Sequence, residues 1–409
     1  MQNTVQESAA LSQLALSANQ ELSDILDWWA EKMPDHENGG FYGRIDGEGK
    51  LHPTADKSVI LNTRILWTFS AAARQSTTPV YREMADRAYR YLLDYFWDPE
   101  NGGVYWMLDY KGQPSQDKKQ VYAQSFALYA LSEYYLLTRN PAAFEKALAL
   151  FELMERYSLD KMRGGYFEAF SRDWQLIADL RLSDKDANEA KTMNTHLHVL
   201  EAYTNLYRVA PAKLVGRALK GLIVLFLDKF IDPQTAHLRL FFDENWNLKS
   251  DEISFGHDIE ASWLLCEAAR VLGQKSLIKK TNNAAVQIAE ATLREGIDAR
   301  DGGLYYTATP HEGITNQNKD WWPQAEAVLG FLNAWKIDGA PQLLEAAQRS
   351  WAFIQEKLLD AEHGEWFWAL APDGRHDTWN DKAGPWKCPY HNGRACMEIM
   401  QYEAIREVG

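Results

Sequence analysis

A chain of 409 residues with a formal net charge of −14, its Lys and Arg scattered rather than clustered, is a poor match to a nucleic-acid groove or an anionic membrane surface. Aromatic residues make up 12% of it, with 16 Trp, 19 Tyr and 16 Phe, an excess that suits stacking against neutral rings such as sugars as well as core packing. Three cysteines without CxxC spacing argue against a disulfide framework or a cysteine zinc site; with no basic residue before Lys32 and no apolar run long enough for a bilayer, a cytoplasmic protein is expected.

In chain order, a helix is expected around residues 9–30, followed by Gly39-Gly40-Phe41-Tyr42 and a turn at Asp46-Gly47. This Gly-Gly-apolar-aromatic theme returns as Gly102-Gly103-Val104-Tyr105, Gly164-Gly165-Tyr166-Phe167 and Gly302-Gly303-Leu304-Tyr305, the first three at intervals of about 63 and 62 residues. His237-Leu238-Arg239-Leu240, without its glycines, and His363-Gly364-Glu365-Trp366-Phe367 complete the series. Each copy runs into two strand-like segments around a turn dipeptide, as at Lys111-Gly112, Arg172-Asp173, Glu244-Asn245, Glu312-Gly313 and Asp373-Gly374, which predicts six hairpins. Between hairpins come two helix-period patterns each time, for example residues 61–74 then 81–95, and 122–137 then 142–157. Twelve helices in six pairs predict an all-α fold, an (α/α)6 barrel in which residues 1–409 form a single domain.

The helix after each hairpin opens on polar or aromatic residues: Asn62 and Arg64; Tyr122 and Gln124; Asn194, His196 and His198; His257 and Glu260; Trp322, Gln324 and Glu326; His391 and Arg394. If these are the inner helices, six polar starts converge at one mouth, and burying them without a ligand to meet would be costly.

Of the ten histidines, His36, His52, His237, His311, His363 and His376 fall in hairpins or their flanks and are expected to be solvated loop residues. The other four stand at inner-helix starts. His196 and His198 are two apart and point to different helix faces, so at most one faces the cavity while the other packs between rings. His257 and Glu260, three apart, share a face. His and Glu at helical spacing can hold zinc or iron, but HExxH, paired ExxH and cysteine ligands are missing, so no metal is expected. A GxSxG elbow and a Cys-His signature are missing too. A glycosidase would need paired carboxylates, and since Asp258 adjoins His257 and should point elsewhere, only Glu260 and Glu326 could supply them. Two histidines on different helices suit another reaction: abstracting the proton beside a sugar carbonyl and returning one to the opposite face. The enediolate formed would need fixed donors, for which Arg64 and His198 are candidates. The alternative for Arg64 is a structural ion pair with a carboxylate, and for the whole site a non-catalytic sugar-binding protein.

LNTRILW at residues 61–67, VYAQSFALYALSE at 121–133, MNTHLHVLEAY at 193–203, SFGHDIEASWLL at 254–265, WWPQAEA at 321–327 and PYHNGRAC at 389–396 resemble the N-acylglucosamine 2-epimerase superfamily, and within it the members acting on disaccharides. The resemblance implies an (α/α)6 barrel and reversible conversion of the reducing-end glucose of a β-1,4-linked disaccharide such as cellobiose or lactose into mannose, without a redox cofactor. It matches His257 and His391 to the acid/base pair, His198 to a third essential histidine and Arg64 to a residue holding the reacting oxygens. Asn194, Tyr122 and Glu260 match sugar-contacting or orienting positions, Trp322 and Trp386 aromatic platforms, and Asp186 a contact to the distal unit. Cys388 stands where some relatives are expected to carry glycine. The alternatives within the superfamily are a monosaccharide 2-epimerase and an aldose-ketose (mannose) isomerase. The expected partner is the disaccharide alone, with neither nucleic acid nor membrane, and the chain is expected as a monomer or homodimer.

Overall fold

The computed structural model describes residues 2–183 and 187–407. Its twelve α-helices are α1 (Gln2–Lys32), α2 (Val59–Gln75), α3 (Pro79–Tyr91), α4 (Val121–Thr138), α5 (Pro141–Leu153), α6 (Met193–Val209), α7 (Lys213–Leu225), α8 (Phe255–Leu272), α9 (Lys275–Glu295), α10 (Trp321–Asp338), α11 (Pro341–Lys357) and α12 (Tyr390–Glu407). The even-numbered helices close an inner ring, each packing on the next and α12 returning to α2, while the odd-numbered helices wrap outside. This is the (α/α)6 barrel.

Local chemistry sorts the two rings. Every residue of α4 from Val121 to Tyr134 is buried, as befits a helix covered on all sides, whereas α3 buries a stripe including Tyr81, Ala85, Ala88 and Tyr89. Pro79, Pro141 and Pro341 open outer helices at the first turn, where the missing N–H costs nothing. No helix among the described residues is long and apolar enough to cross a membrane.

The hairpins differ from expectation in a useful way. Only two pair as ladders of named strands, Met107–Leu108 with Pro114–Gln116 and Thr307–Thr309 with Gly313–Asn316. Four others reduce to single bridges, such as Phe170 with Leu176 and Phe242 with Leu248. The more regular pairing joins successive repeats: the two residues before an inner helix pair with the next hairpin, as Lys119–Gln120 with Ala169–Phe170 and Lys191–Thr192 with Phe241–Phe242. A bridge from Ala383 to Ile45 closes the circle. The turns at Arg172-Asp173 and Glu244-Asn245 put their left-handed residue one position later, at Trp174 (φ 64°) and Trp246 (φ 67°). Each indole N–H donates to the preceding repeat, to Asn101 O at 3.1 Å and Arg163 O at 3.0 Å, which offsets a strain of about 1–2 kcal/mol.

Beneath the hairpins lies a ring of buried ion pairs. An Asp ahead of each glycine motif pairs with a Lys ahead of an inner helix: Lys57 with Asp35 (2.8 Å), Lys119 with Asp98 (2.9 Å), Lys191 with Asp160 (2.8 Å), Lys319 with Asp298 (2.9 Å) and Lys382 with Asp360 (2.6 Å). The fourth repeat breaks the pattern, since Ile253 takes the Lys place and Asp232 pairs instead with Arg239. There His237 is a correction to the loop expectation: it is 4% exposed, with Nδ1 2.7 Å from Asp258 and Nε2 3.0 Å from Glu295. Burial opposes its charge, but the two carboxylates outweigh that and push its pKa up to about 9.

Candidate active site

The inner helices begin at one end of the barrel and enclose a cavity of about 550 Å³. Arg64, Tyr122, Asn194, His198, His257, Glu260, Trp322, Trp386 and His391 line it, so every candidate site residue is gathered there except Asp186, which lies outside the described residues. Helix geometry explains the selection. Tyr122, Asn194, Trp322 and His391 are the second residues of their helices; Arg64, His198 and Glu260 lie one turn deeper, at the sixth.

Residues at the fourth position turn away, which corrects the expectation that all the polar starts converge. Gln124 Oε1 accepts from Val104 N–H at 2.8 Å and Gln324 Oε1 from Leu304 N–H at 2.6 Å, tying their helices to the hairpin layer. His196 does the same job, its Nε2 accepting from Tyr166 N–H at 2.8 Å while Nδ1 faces Thr192 O at 2.6 Å. Burial drives its pKa down to about 4. His196 is therefore the structural member of the pair.

The cavity histidines are each anchored through Nδ1. His391 Nδ1 lies 2.7 Å from Glu326 Oε1 and His198 Nδ1 3.0 Å from Glu201 Oε2. A carboxylate only accepts, so Nδ1 carries the proton in both and Nε2 keeps a lone pair. His257 Nδ1 meets a hydroxyl instead, Ser254 Oγ at 2.8 Å. Burial pushes His257 and His391 down to about 3, so both are neutral at pH 7. Trp322 lies against both, its ring centroid 4.8 Å from that of His257 and 5.5 Å from that of His391. Gly256 makes this possible, because a Cβ there would come within 2.6 Å of the Trp322 ring.

A buried carboxylate layer supports the histidines. Arg394 donates to Glu201, to Glu260 at 3.0 Å and to Glu326 at 2.7 Å. Burial works against ionisation of Glu326, but Arg394 and His391 hold it at about 2; burial and the Glu326 charge push Glu260 well above the usual carboxylate range. Glu260, Glu326 and His391 offer ligand atoms within 4.8 Å of one another, but the Arg394 guanidinium sits between the two carboxylates where a metal ion would. The same closeness tells against a glycosidase pair, whose carboxyls stand at least ~5 Å apart on either side of a sugar bond. Glu326 is fully buried and does not line the cavity.

Arg64 is the opposite case. It is 3% exposed, donates to Tyr122 Oη at 2.7 Å, and lies 3.7 Å from Cys388 Sγ and over the Phe126 ring at 4.3 Å. It has no carboxylate within ion-pair distance among the described residues, and its Nε has no hydrogen-bond partner. A buried, unneutralised guanidinium on a cavity wall is a ready donor to a developing oxyanion. Sequence reasoning missed the rim, where Trp368, Trp379, Tyr306 and the Arg44–Asp381 pair (2.7 Å) also line the cavity. Trp379, 72% exposed, carried no signal beyond composition.

The fold and site define a helical-barrel protein with an aromatic-walled pocket built around neutral histidines. Residues 40–395 match the family described as N-acylglucosamine 2-epimerase (GlcNAc 2-epimerase), and the chain belongs to that family. It is 52% identical to a cellobiose 2-epimerase of Bacteroides fragilis, over 92% of this chain and 95% of the relative. The solved structure of a cellobiose 2-epimerase from Bacillus thermoamylovorans B4167 is 40% identical, covers 95% of this chain and 99% of its own, and superposes with a TM-score of 0.91. A D-mannose isomerase structure shares the fold (TM-score 0.81) at 19% identity, over 94% of this chain and 97% of its own.

Proposed function

We propose that the protein catalyses reversible 2-epimerisation of the reducing-end glucose of β-1,4-linked disaccharides, turning cellobiose into 4-O-β-glucosyl-mannose and lactose into epilactose. The observation that carries this reading is the pair of neutral histidines, His257 and His391, flanking Trp322 with their Nδ1 atoms anchored. The high identity to a cellobiose 2-epimerase supports the substrate class. One histidine takes the C2 proton of the open-chain aldose through Nε2 and gives a cis-enediol. The intermediate turns about its C2–C3 bond, and the other histidine, which takes up a solvent proton at Nε2 before the step, returns that proton to the opposite face. The two exchange roles in the reverse direction. Arg64 donates to the enediolate oxygens, while His198, its Nδ1–H held by Glu201, turns an accepting Nε2 toward the sugar hydroxyls. Tyr122, Asn194 and Glu260 orient the reacting sugar, Trp322 stacks against it, and Trp386 and Asp186 serve the distal unit. Residues 1–409 act as one catalytic domain, monomeric or homodimeric, with no redox cofactor and no metal.

Incubation with cellobiose in D₂O is expected to yield 4-O-glucosyl-mannose carrying deuterium at C2 with the glycosidic bond intact. Free glucose as the main product would overturn the reading. A wild type preferring free mannose would move it to a monosaccharide epimerase or isomerase, which passes through the same enediol.

A further inference from the structure

His257 stands between two spaces. One is the main cavity; the other is a side chamber of about 130 Å³ bordered by Ser254, Glu252, Thr192, Glu168 and Thr307. The chamber holds several waters by volume and reaches the surface at Glu252 and Ala187, both exposed. Asn194 lies on the wall shared by the two spaces and keeps a buried Oδ1 with no hydrogen-bond partner, the kind of acceptor that ordered water satisfies. The Ser254 hydroxyl, 2.8 Å from His257 Nδ1, joins the ring to this chamber. Among the described residues there is no such outlet behind His391. Its Nδ1 meets Glu326, itself fully buried and held by Trp263 Nε1 at 2.9 Å and Arg394 at 2.7 Å, and its ring is enclosed by Trp321, Trp322 and Tyr390.

In the two-histidine reaction proposed above, on which this inference rests, each turnover leaves the base one proton richer and the acid one poorer. A proton must leave one ring and reach the other before the next turnover. In that reaction the sugar lies against the Nε2 edges, which leaves the Nδ1 side for exchange. We propose that Ser254 and the side chamber form a proton-exchange port for His257. The imidazolium Nδ1–H is donated to Ser254 Oγ while the serine hydroxyl proton passes to a chamber water, so one proton moves from ring to solvent and the serine is regenerated. The reverse path reprotonates the ring. Ser254 is a positioning residue that acts through His257, and its consequence is an asymmetry: His257 equilibrates with solvent while sugar is bound, and His391 does so only after release.

The test uses C2-deuterated cellobiose and C2-deuterated 4-O-glucosyl-mannose in H₂O, with deuterium loss from recovered substrate measured per product formed. In the direction where His257 is the base, the wild type is expected to lose label about tenfold more readily than in the other direction. Ser254→Ala should abolish that difference and Ser254→Thr restore it, with thermal stability unchanged. An unaltered ratio in Ser254→Ala, whatever happens to kcat, overturns the port. Should Ser254→Ala turn over too slowly to measure, NMR exchange of the imidazole N–H protons reads the port without catalysis, in protein saturated with reduced cellobiose. His257 exchange slowed about tenfold by Ser254→Ala supports the port; unchanged exchange overturns it. A failure of the epimerase reading itself would show earlier and separately, as no C2 exchange in wild type.

Discussion

The ring of buried lysines and the buried Arg64 are built from the same kind of charge and put to opposite uses. Lys191 donates to Asp160, Gly164 O and Glu244 O, so its charge is consumed within the hairpin layer. Arg64 reaches only a phenol and a thiol, and keeps its charge for whatever enters the cavity. A satisfied buried cation holds repeats together, whereas an under-satisfied one stores electrostatic potential for a ligand. The histidines divide likewise: His196 spends both ring nitrogens on the backbone, whereas His391 spends only Nδ1.

The comparison breaks most visibly at the histidines. His257→Ala and His391→Ala are each expected to lower kcat about 10²- to 10⁴-fold on cellobiose with the fold and some substrate affinity kept, whereas His196→Gln, which reproduces the residue found at the same position in α4 and α10, should leave kcat near wild type. Steady-state kinetics on the three variants, with circular dichroism as the folding check, decides it. Arg64→Met should cost about 10²- to 10³-fold in kcat and leave thermal stability unchanged or raised, because no carboxylate is orphaned. Lys191→Met should do the reverse. It leaves Asp160 buried without its cation and is expected to cost about 3–5 kcal/mol in denaturant unfolding, while the kcat of the folded fraction stays normal.

The pH profile of stability sharpens the contrast between the regular repeats and the fourth. Burial opposes the ionisation of Asp98, but Arg172, Lys119 and backbone N–H groups hold its pKa far below the usual carboxylate range, and Asp35, Asp160 and Asp360 are lowered by the same kind of partners. Their stabilisation is present above the unfolded carboxylate range near pH 4 and is lost as pH falls through the lower folded values. His237 runs the other way. Its folded pKa of about 9 exceeds the unfolded 6.5, so its contribution is complete below pH 6.5 and disappears as pH rises through 9. Each pKa unit is worth about 1.4 kcal/mol, so His237→Gln should flatten a decline of at most a few kcal/mol between pH 6.5 and 9.5, with a smaller loss on the acid limb through Glu295, whose pKa His237 helps to lower. Thermal unfolding across pH 3–10 measures both. The smallest effect is expected at Trp386, which is half-buried beside Tyr122 and Trp106 on the cavity wall. Trp386→Ala should lower kcat/KM about tenfold more for cellobiose or lactose than for glucose or mannose, since remote binding energy is available only to the longer sugar.

Periodicity in the chain was sufficient for the barrel. Glycine pairs near 62-residue spacing and paired helical patterns of 3.6-residue period determine which helices alternate, and a closed ring of six pairs is what buries their apolar faces. The cavity residues were legible through the motifs that carry the family resemblance, whereas helix period by itself gathered Gln124, His196 and Gln324 with them, which turn away from the cavity. Three things were decided only by tertiary structure. His237 reads as a hairpin residue until Asp258 and Glu295, 21 and 58 positions away, fold onto its two nitrogens. The lysines ahead of the inner helices read as surface charge until each meets an aspartate of the preceding loop. Arg64 could as well have found a carboxylate. Sequence spacing sets which way a side chain points along its own helix, but the protonation and freedom of a buried charge depend on partners distant in the chain, and only folding brings those together.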